Sequence, residues 1–375
     1  MARFKSHRRG GNSAHNAALI LALTAATGLA IVPATHGAAY SITGLGFLAG
    51  GSASYGYGIN ASGQVVGPAA ISGNRYDRHA FLYSAGAMAD LGTLGGTYSY
   101  ASGINASGQV VGGAQTSSGA YYAFLYGGGA MQDLGALGGN YSYASGINAS
   151  GQVVGGAGTG ASGEHAFLYS GGTMQDLGTL GGVSSNAFGI NVSGQVVGGA
   201  RTSSGAYHAF IYSGNLMTDL GTLGGNYSYA TAINASAQVV GEAQTSAGSY
   251  HAFDYTGNAM TDLGTLGGST SGANGINASG QVVGESQISP GVYHAFLYSG
   301  GIMQDLNSLI PTASGWTLRE ANAINNLGDI VGSGTDPQGH TEAFLLTPVP
   351  EPATIALLAL AGAGMLLLRK RRGIR

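Results

Sequence analysis

The sequence predicts an all-β fold: a seven-bladed β-propeller of four-stranded repeats, each about 43 residues long, closed by pairing of the N-terminal strand with the last blade. Three observations predict it. First, the chain repeats itself: Asp90, Asp133, Asp176, Asp219, Asp262 and Asp305, each followed by Leu, stand 43 residues apart. Second, Gly supplies 70 of 375 residues, and Gly, Ser and Asn clusters punctuate short apolar runs that show no helical period. Third, the repeat is out of phase with its own ends. The Asp-Leu strand occurs six times, whereas the segments ending at Asn60, Asn105, Asn148, Asn191, Asn234, Asn277 and Asn325 occur seven times.

Residues 143–182 spell one unit. Tyr143 to Asn148 is the first strand, Gln152 to Ala157 the second, His165 to Ser170 the third and Met174 to Leu180 the fourth. Between the first two, Asn148-Ala149-Ser150-Gly151 is a hairpin signal: Asn starts a type I turn and Gly takes the left-handed position after it. Ala237 replaces that Gly in one copy, where its Cβ predicts a strained turn. The Gly, Ala and Ser residues before each Asn suit the crowded strand nearest an axis. Two extra residues fall near Asn74–Arg78 and five around Ile310–Gly315. The missing fourth strand stands at the front, as Ile42-Thr43-Gly44-Leu45-Gly46-Phe47-Leu48. A body that starts with a fourth strand and ends with a third can close a ring, which removes the sheet edges that an open solenoid must cap. The expected organisation is a signal peptide over 1–39, the propeller over 40–347 and a sorting segment over 348–375.

Composition excludes several function classes. With no Cys there is no disulfide scaffold, thiolate metal site or Cys nucleophile. Gly does not recur every third residue, so the chain is not collagen. Of 13 Lys and Arg residues, only Arg75, Arg78, Arg201 and Arg319 lie in the middle, against 15 of the 16 acids. A body that acidic repels phosphate backbones, so no nucleic-acid partner is expected.

Both ends read as targeting segments. Arg3 to Arg9 is a basic region, Ala17 to Val32 an apolar stretch, and Gly37-Ala38-Ala39 a cleavage site for signal peptidase. At the other end, Val349-Pro350-Glu351-Pro352 precedes an apolar run, Ile355 to Leu368, and the basic tail Arg369-Lys370-Arg371-Arg372. That run predicts a short transmembrane helix whose basic tail stays cytoplasmic. This tripartite end resembles the PEP-CTERM sorting signal of exosortase-processed bacterial proteins. The resemblance implies export, transient membrane retention, recognition of Pro350, Glu351 and Pro352 by an exosortase-type enzyme, and a Gram-negative source that makes exopolysaccharide. The middle, with His79-Ala80-Phe81 and the same tripeptide at His165, His208, His251 and His294, resembles the extracellular HAF-repeat family. Tyr122 and Glu342 depart from that pattern.

Five histidines at one repeat position do not make a metal centre, because equivalent positions on a ring cannot converge to within about 2 Å of one ion. They are expected to hydrogen-bond a neighbouring backbone group or the Asp eleven residues on, as His165 with Asp176. No cofactor is expected. No Gly-x-Ser-x-Gly elbow joins a strand to a helix, so no hydrolase nucleophile is expected either. The Asn-x-Ser sequons are turn chemistry. Tyr55, Tyr100, Tyr143 and Tyr229 share one register, five residues before the Asn, and form the candidate ligand face. Tyr on one rim can stack on sugar rings or meet a protein, and the same rings can instead pack between blades. Trp316, the single Trp, is expected to pack the closure. The expectation is therefore a secreted, non-enzymatic binding or structural module of the envelope, with exopolysaccharide or envelope proteins as partners. The alternative is a polysaccharide-active propeller enzyme, for which Glu320 and Asp329 are an acidic pair to test.

Overall fold

The structure, a computed structural model, describes residues 39–160 and 163–350. The signal segment, the C-terminal apolar run, Glu351, Pro352 and Arg369–Arg372 lie outside the described residues. Within them the chain is all-β, with twenty-eight strands and two single-turn 3-10 helices, Leu306–Ser308 and Thr312–Ser314. No helix among the described residues is long and apolar enough to cross a membrane.

The unit is an antiparallel meander of inner, second, third and outer strands. In the copy read above these are Gly138–Ile147, Val153–Thr159, Glu164–Ser170 and Thr173–Asp176. Two bounds differ from the sequence reading by more than two residues. The inner strand starts at Gly138, ahead of Tyr143, because Gly138 pairs with Thr159 before a bulge. The outer strand stops at Asp176, because its Oδ1 accepts from the Gly178 N–H at 2.7 Å and turns the chain out of the ladder. Leu177 still donates to the Ala166 carbonyl at 2.9 Å and buries its side chain.

Close packing explains the repeated Gly. Gly155 pairs with Phe167 across the second and third strands, and a Cβ on Gly155 would run into the Tyr143 carbonyl. The Phe of each third-strand Ala-Phe pair, from Phe81 to Phe344, is fully buried. Each core joins neighbouring copies. One contains Val154 and Ala166 with Val196, Ala200 and Phe210. Another joins Val331 and Ala343 of the last copy to Val65, Ala69 and Phe81 of the first. A buried Ser stitches the same seams: Ala166 donates to Ser185 Oγ at 2.9 Å, and Ser185 Oγ donates to the Gly178 carbonyl.

The strands form three four-stranded and two eight-stranded sheets. The larger ones each join two units through a single parallel pair, Tyr121 with Tyr141 and Tyr207 with Tyr227. Asparagines link the inner strands. Asn105 Oδ1 accepts from Ser107 and Gln109 N–H groups, and its Nδ2 donates to Gln109 Oε1 at 2.8 Å and to the Asn148 carbonyl at 3.2 Å. The same donation runs from Asn60 to Asn105, then through Asn148, Asn191, Asn234 and Asn277 to Asn325. Asn325 donates in turn to the Asn60 carbonyl at 3.2 Å, so the relay returns to its start.

The leading strand, Tyr40–Gly44, pairs antiparallel with Thr341–Pro348, placing Ile42 opposite Leu346 and Gly44 opposite Phe344. Gly44 occupies the register of Asp90 opposite Phe81. It lacks a carboxylate, and Glu342, at the His position, supplies one: Gly46 donates to Glu342 Oε1 at 2.7 Å, as Gly92 does to Asp90. Trp316 meets Phe344 edge-on at 6.4 Å and packs on the core that holds Tyr40, Phe344 and Leu346. Beyond the strand, Val349 donates to the Ala39 carbonyl at 2.9 Å.

Candidate functional site

The strand register gives the sheets two ends. The Asn turns form one; the other collects the starts of the inner and third strands. The His–Asp contacts lie toward that second end: His79, His165, His208 and His251 each bring Nδ1 to 2.8 Å from an Asp Oδ2, and His294 to 2.7 Å. Asp133, opposite Tyr122 instead of His, keeps its turn bond to Gly135 and, among the described residues, takes no other side-chain partner. These pairs tie third to outer strands one unit at a time. Among the described residues no three His, Asp or Glu side chains gather closely enough to hold a metal ion.

The four candidate tyrosines are half-buried at the same end, in different company. Tyr55 lies under the Arg78 guanidinium, 4.6 Å from its ring centroid. Tyr100 stacks on Tyr121 at 6.1 Å, and Tyr229 on Tyr207 of the preceding unit at 4.8 Å. The Tyr143 hydroxyl donates to Glu164 and lies 2.8 Å from Asn186 Oδ1 of the next unit. Burial raises the hydroxyl pKa of Tyr100 and Tyr143, and pushes Tyr207 up to about 12. Tyr100 and Tyr143 are thus taken up largely in packing. Tyr55 and Tyr229 line open space.

That space is two cavities sharing Glu285 and Tyr293. One, of about 600 Å³, is lined by Tyr55, Arg75, Arg319 and Glu320 as well. The other, of about 430 Å³, adds Tyr229, Glu242, Tyr250 and Gly272. Ligand clefts typically measure about 300–1,000 Å³. Arg75 belongs to the loop that carries the extra residues near Asn74, so an insertion borders the groove. Burial raises Glu285 to about 7, assisted by the negative charges of Glu320 and Glu242; burial also raises Glu242. Asp329 does not join this group. It caps Asn325 at the opposite end of the sheet, 2.9 Å from Nδ2, so Glu320 partners Glu285 in the groove instead. Glu320 also accepts from Ser333 Oγ at 2.6 Å.

The sequence reading missed Glu242, Glu285, Arg75 and Arg319 as groove residues. The available signal was departure from the repeat. At the position five before Asn, Tyr becomes Gly272 and then Glu320. Opposite it on the second strand, the Gly of three copies becomes Glu242 and Glu285. The sorting element is only partly in view: Pro350 is exposed, and the rest lies outside the described residues.

Residues 348–372 match the family described as the PEP-CTERM protein-sorting motif. The motif implies export to the cell envelope or surface, with an exosortase as processing partner. No curated protein matches the chain. Among solved structures, it is similar to a TolB described as putative from Agrobacterium tumefaciens, at 12% identity and TM-score 0.42 over 64% of this chain and 90% of that one. It is also similar to TolB from Acinetobacter baumannii, at 12% identity and TM-score 0.40 over 64% of this chain and 63% of that one.

Proposed function

We propose that the chain is an exported, exosortase-sorted, non-enzymatic binding module: a seven-bladed propeller, closed by its leading strand, that holds a polysaccharide of the envelope or extracellular matrix in the tyrosine-lined groove. In this reading residues 1–39 are a cleaved signal, 40–347 the HAF-repeat body and 348–375 the segment cut near Pro350, Glu351 and Pro352, with Arg369–Arg372 as its stop-transfer tail. The pairing of Tyr40–Gly44 with Thr341–Pro348 and the returning Asn relay support the closed ring. The observation that carries the function is the groove itself: two confluent cavities with Tyr55, Tyr229, Tyr250 and Tyr293 on their walls and carboxylates between them. Tyr offers broad apolar contact to a sugar face at low entropic cost, and carboxylates accept from ring hydroxyls.

Glycan panels with the full-length protein test it. Binding without release of oligosaccharide is expected, and Tyr55→Ala or Tyr229→Ala should each weaken it about 3- to 10-fold, the value of a lost aromatic contact. Absence of glycan binding, or binding indifferent to both changes, would overturn the reading. A glycan-cleaving enzyme is the second reading, favoured by the raised pKa of Glu285 beside Glu320, the pattern of a general acid paired with a carboxylate. It requires oligosaccharide release that Glu285→Gln abolishes.

A further inference from the structure

The smaller cavity exists because two residue choices change together. On the inner strands Gly95–Ile104 and Gly138–Ile147, a Tyr faces a Gly of the second strand: Tyr100 opposite Gly113, Tyr143 opposite Gly156. The space above such a Gly is filled by aromatic rings. A Cβ on Gly156 would lie 2.8 Å from the Tyr143 ring. On strand Ser271–Ile276 the pair is reversed, with Gly272 opposite Glu285. One unit earlier Tyr229 faces Glu242, whose carboxylate leans over Gly272: a Cβ there would meet Glu242 Oε2 at 3.4 Å. The result is a vacated space of about 430 Å³, walled by Tyr229, Tyr250 and Tyr293 and entered by carboxylates from two strands. Among the described residues, neither the Glu242 nor the Glu285 side chain takes a hydrogen bond or an ion pair, whereas Glu320 is held by Ser333. The cations of the groove, Arg75 and Arg319, line the neighbouring cavity.

Two half-buried carboxylates left without a counter-charge are costly, and an aromatic wall favours a cation. We propose that this cavity binds a protonated primary amine, presented by amino-sugar residues of the polysaccharide in the groove. The inference rests on the glycan reading above and adds the charge of the ligand. An ammonium carries three donors, enough to meet both carboxylates, while the tyrosine faces contact the sugar ring. Arg75 and Arg319 repel the amine from the adjoining cavity and so fix where along the groove it sits.

Calorimetric titration of the full-length chain with a glucosamine tetramer and its fully N-acetylated counterpart, at about pH 7, tests this. The free-amine oligomer should bind at least about tenfold tighter, a ratio that shrinks as salt is raised. In Glu242→Gln/Glu285→Gln, and separately in Gly272→Tyr, which refills the space with a ring, the ratio of the two affinities should fall to about one. Equal affinities in the unaltered chain, or a preference that survives the Gln pair, would sink the amine site and leave the glycan reading standing. Failure of both oligomers to bind would remove both.

Discussion

At the scale of single residues, the repeat makes its own controls. Six of the Asn turns place Gly at positive φ, from 72° at Gly63 to 85° at Gly328, and the remaining one holds Ala237 at 61°. The strain predicted from sequence thus falls on a backbone that L-residues avoid, so Ala237→Gly should stabilise the protein by about 1 kcal/mol in urea unfolding. Asn191 tests the opposite case. Its amide donates to Gln195 and to the Asn234 carbonyl while its oxygen accepts two N–H groups. Asn191→Asp loses both donors and sets a charge against two acceptors, and should cost at least about 2 kcal/mol in the same assay. These local roles were legible because turn chemistry and the eleven-residue His–Asp spacing are short-range patterns. The groove residues were not. Glu285 is informative only against Gly113, Gly156 and Gly199 in other copies, and the meaning of Gly272 depends on a carboxylate from the neighbouring unit.

At the scale of elements, the leading strand is the instructive one. It was recognisable from its Leu-Gly pattern, yet the exchange that fits it was hidden. Glu342 looked like a lost His, and Gly44 carried no sign of a lost Asp, until the register put them side by side. A carboxylate has moved from one strand to its partner. Gly44→Asp alone sets a second acid where a Cβ already crowds Glu342 Oε1 and should destabilise. Adding Glu342→His rebuilds the pair found at His79 and Asp90, and the double variant should be more stable than Gly44→Asp alone. A double-mutant cycle should return a favourable coupling of about 0.5–3 kcal/mol; a coupling near zero would refute the exchange. The outer strands were predicted too long for a related reason. Leu177 and Leu180 are apolar and read as strand, but they serve the core between units while the Asp turn ends the ladder.

At the scale of the molecule, phase decided what could be read. Six copies of one strand against seven of the others pointed to a ring, and the pairing of both ends follows that count. The groove follows from broken repetition, which an average over copies erases. Its charges also set a pH response. The folded pKa of Glu285, raised to about 7 from 4.5, lies above its unfolded value, so the stability it contributes is full below about 4.5 and is lost as pH rises through about 7. The melting temperature should therefore fall between about pH 5 and 8, and fall less in Glu285→Gln. An identical pH dependence in both proteins would show that Glu285 is not held as described. The pairing of Val349 with Ala39 carries a consequence for presentation. Pro348 lies level with the Asn325 turn, where a Cβ on Gly328 would meet it at 3.2 Å, so the polypeptide departs toward its sorting tail from the turn end of the sheets. The tyrosines and carboxylates gather at the far end. The groove and the exit of the polypeptide thus face away from one another.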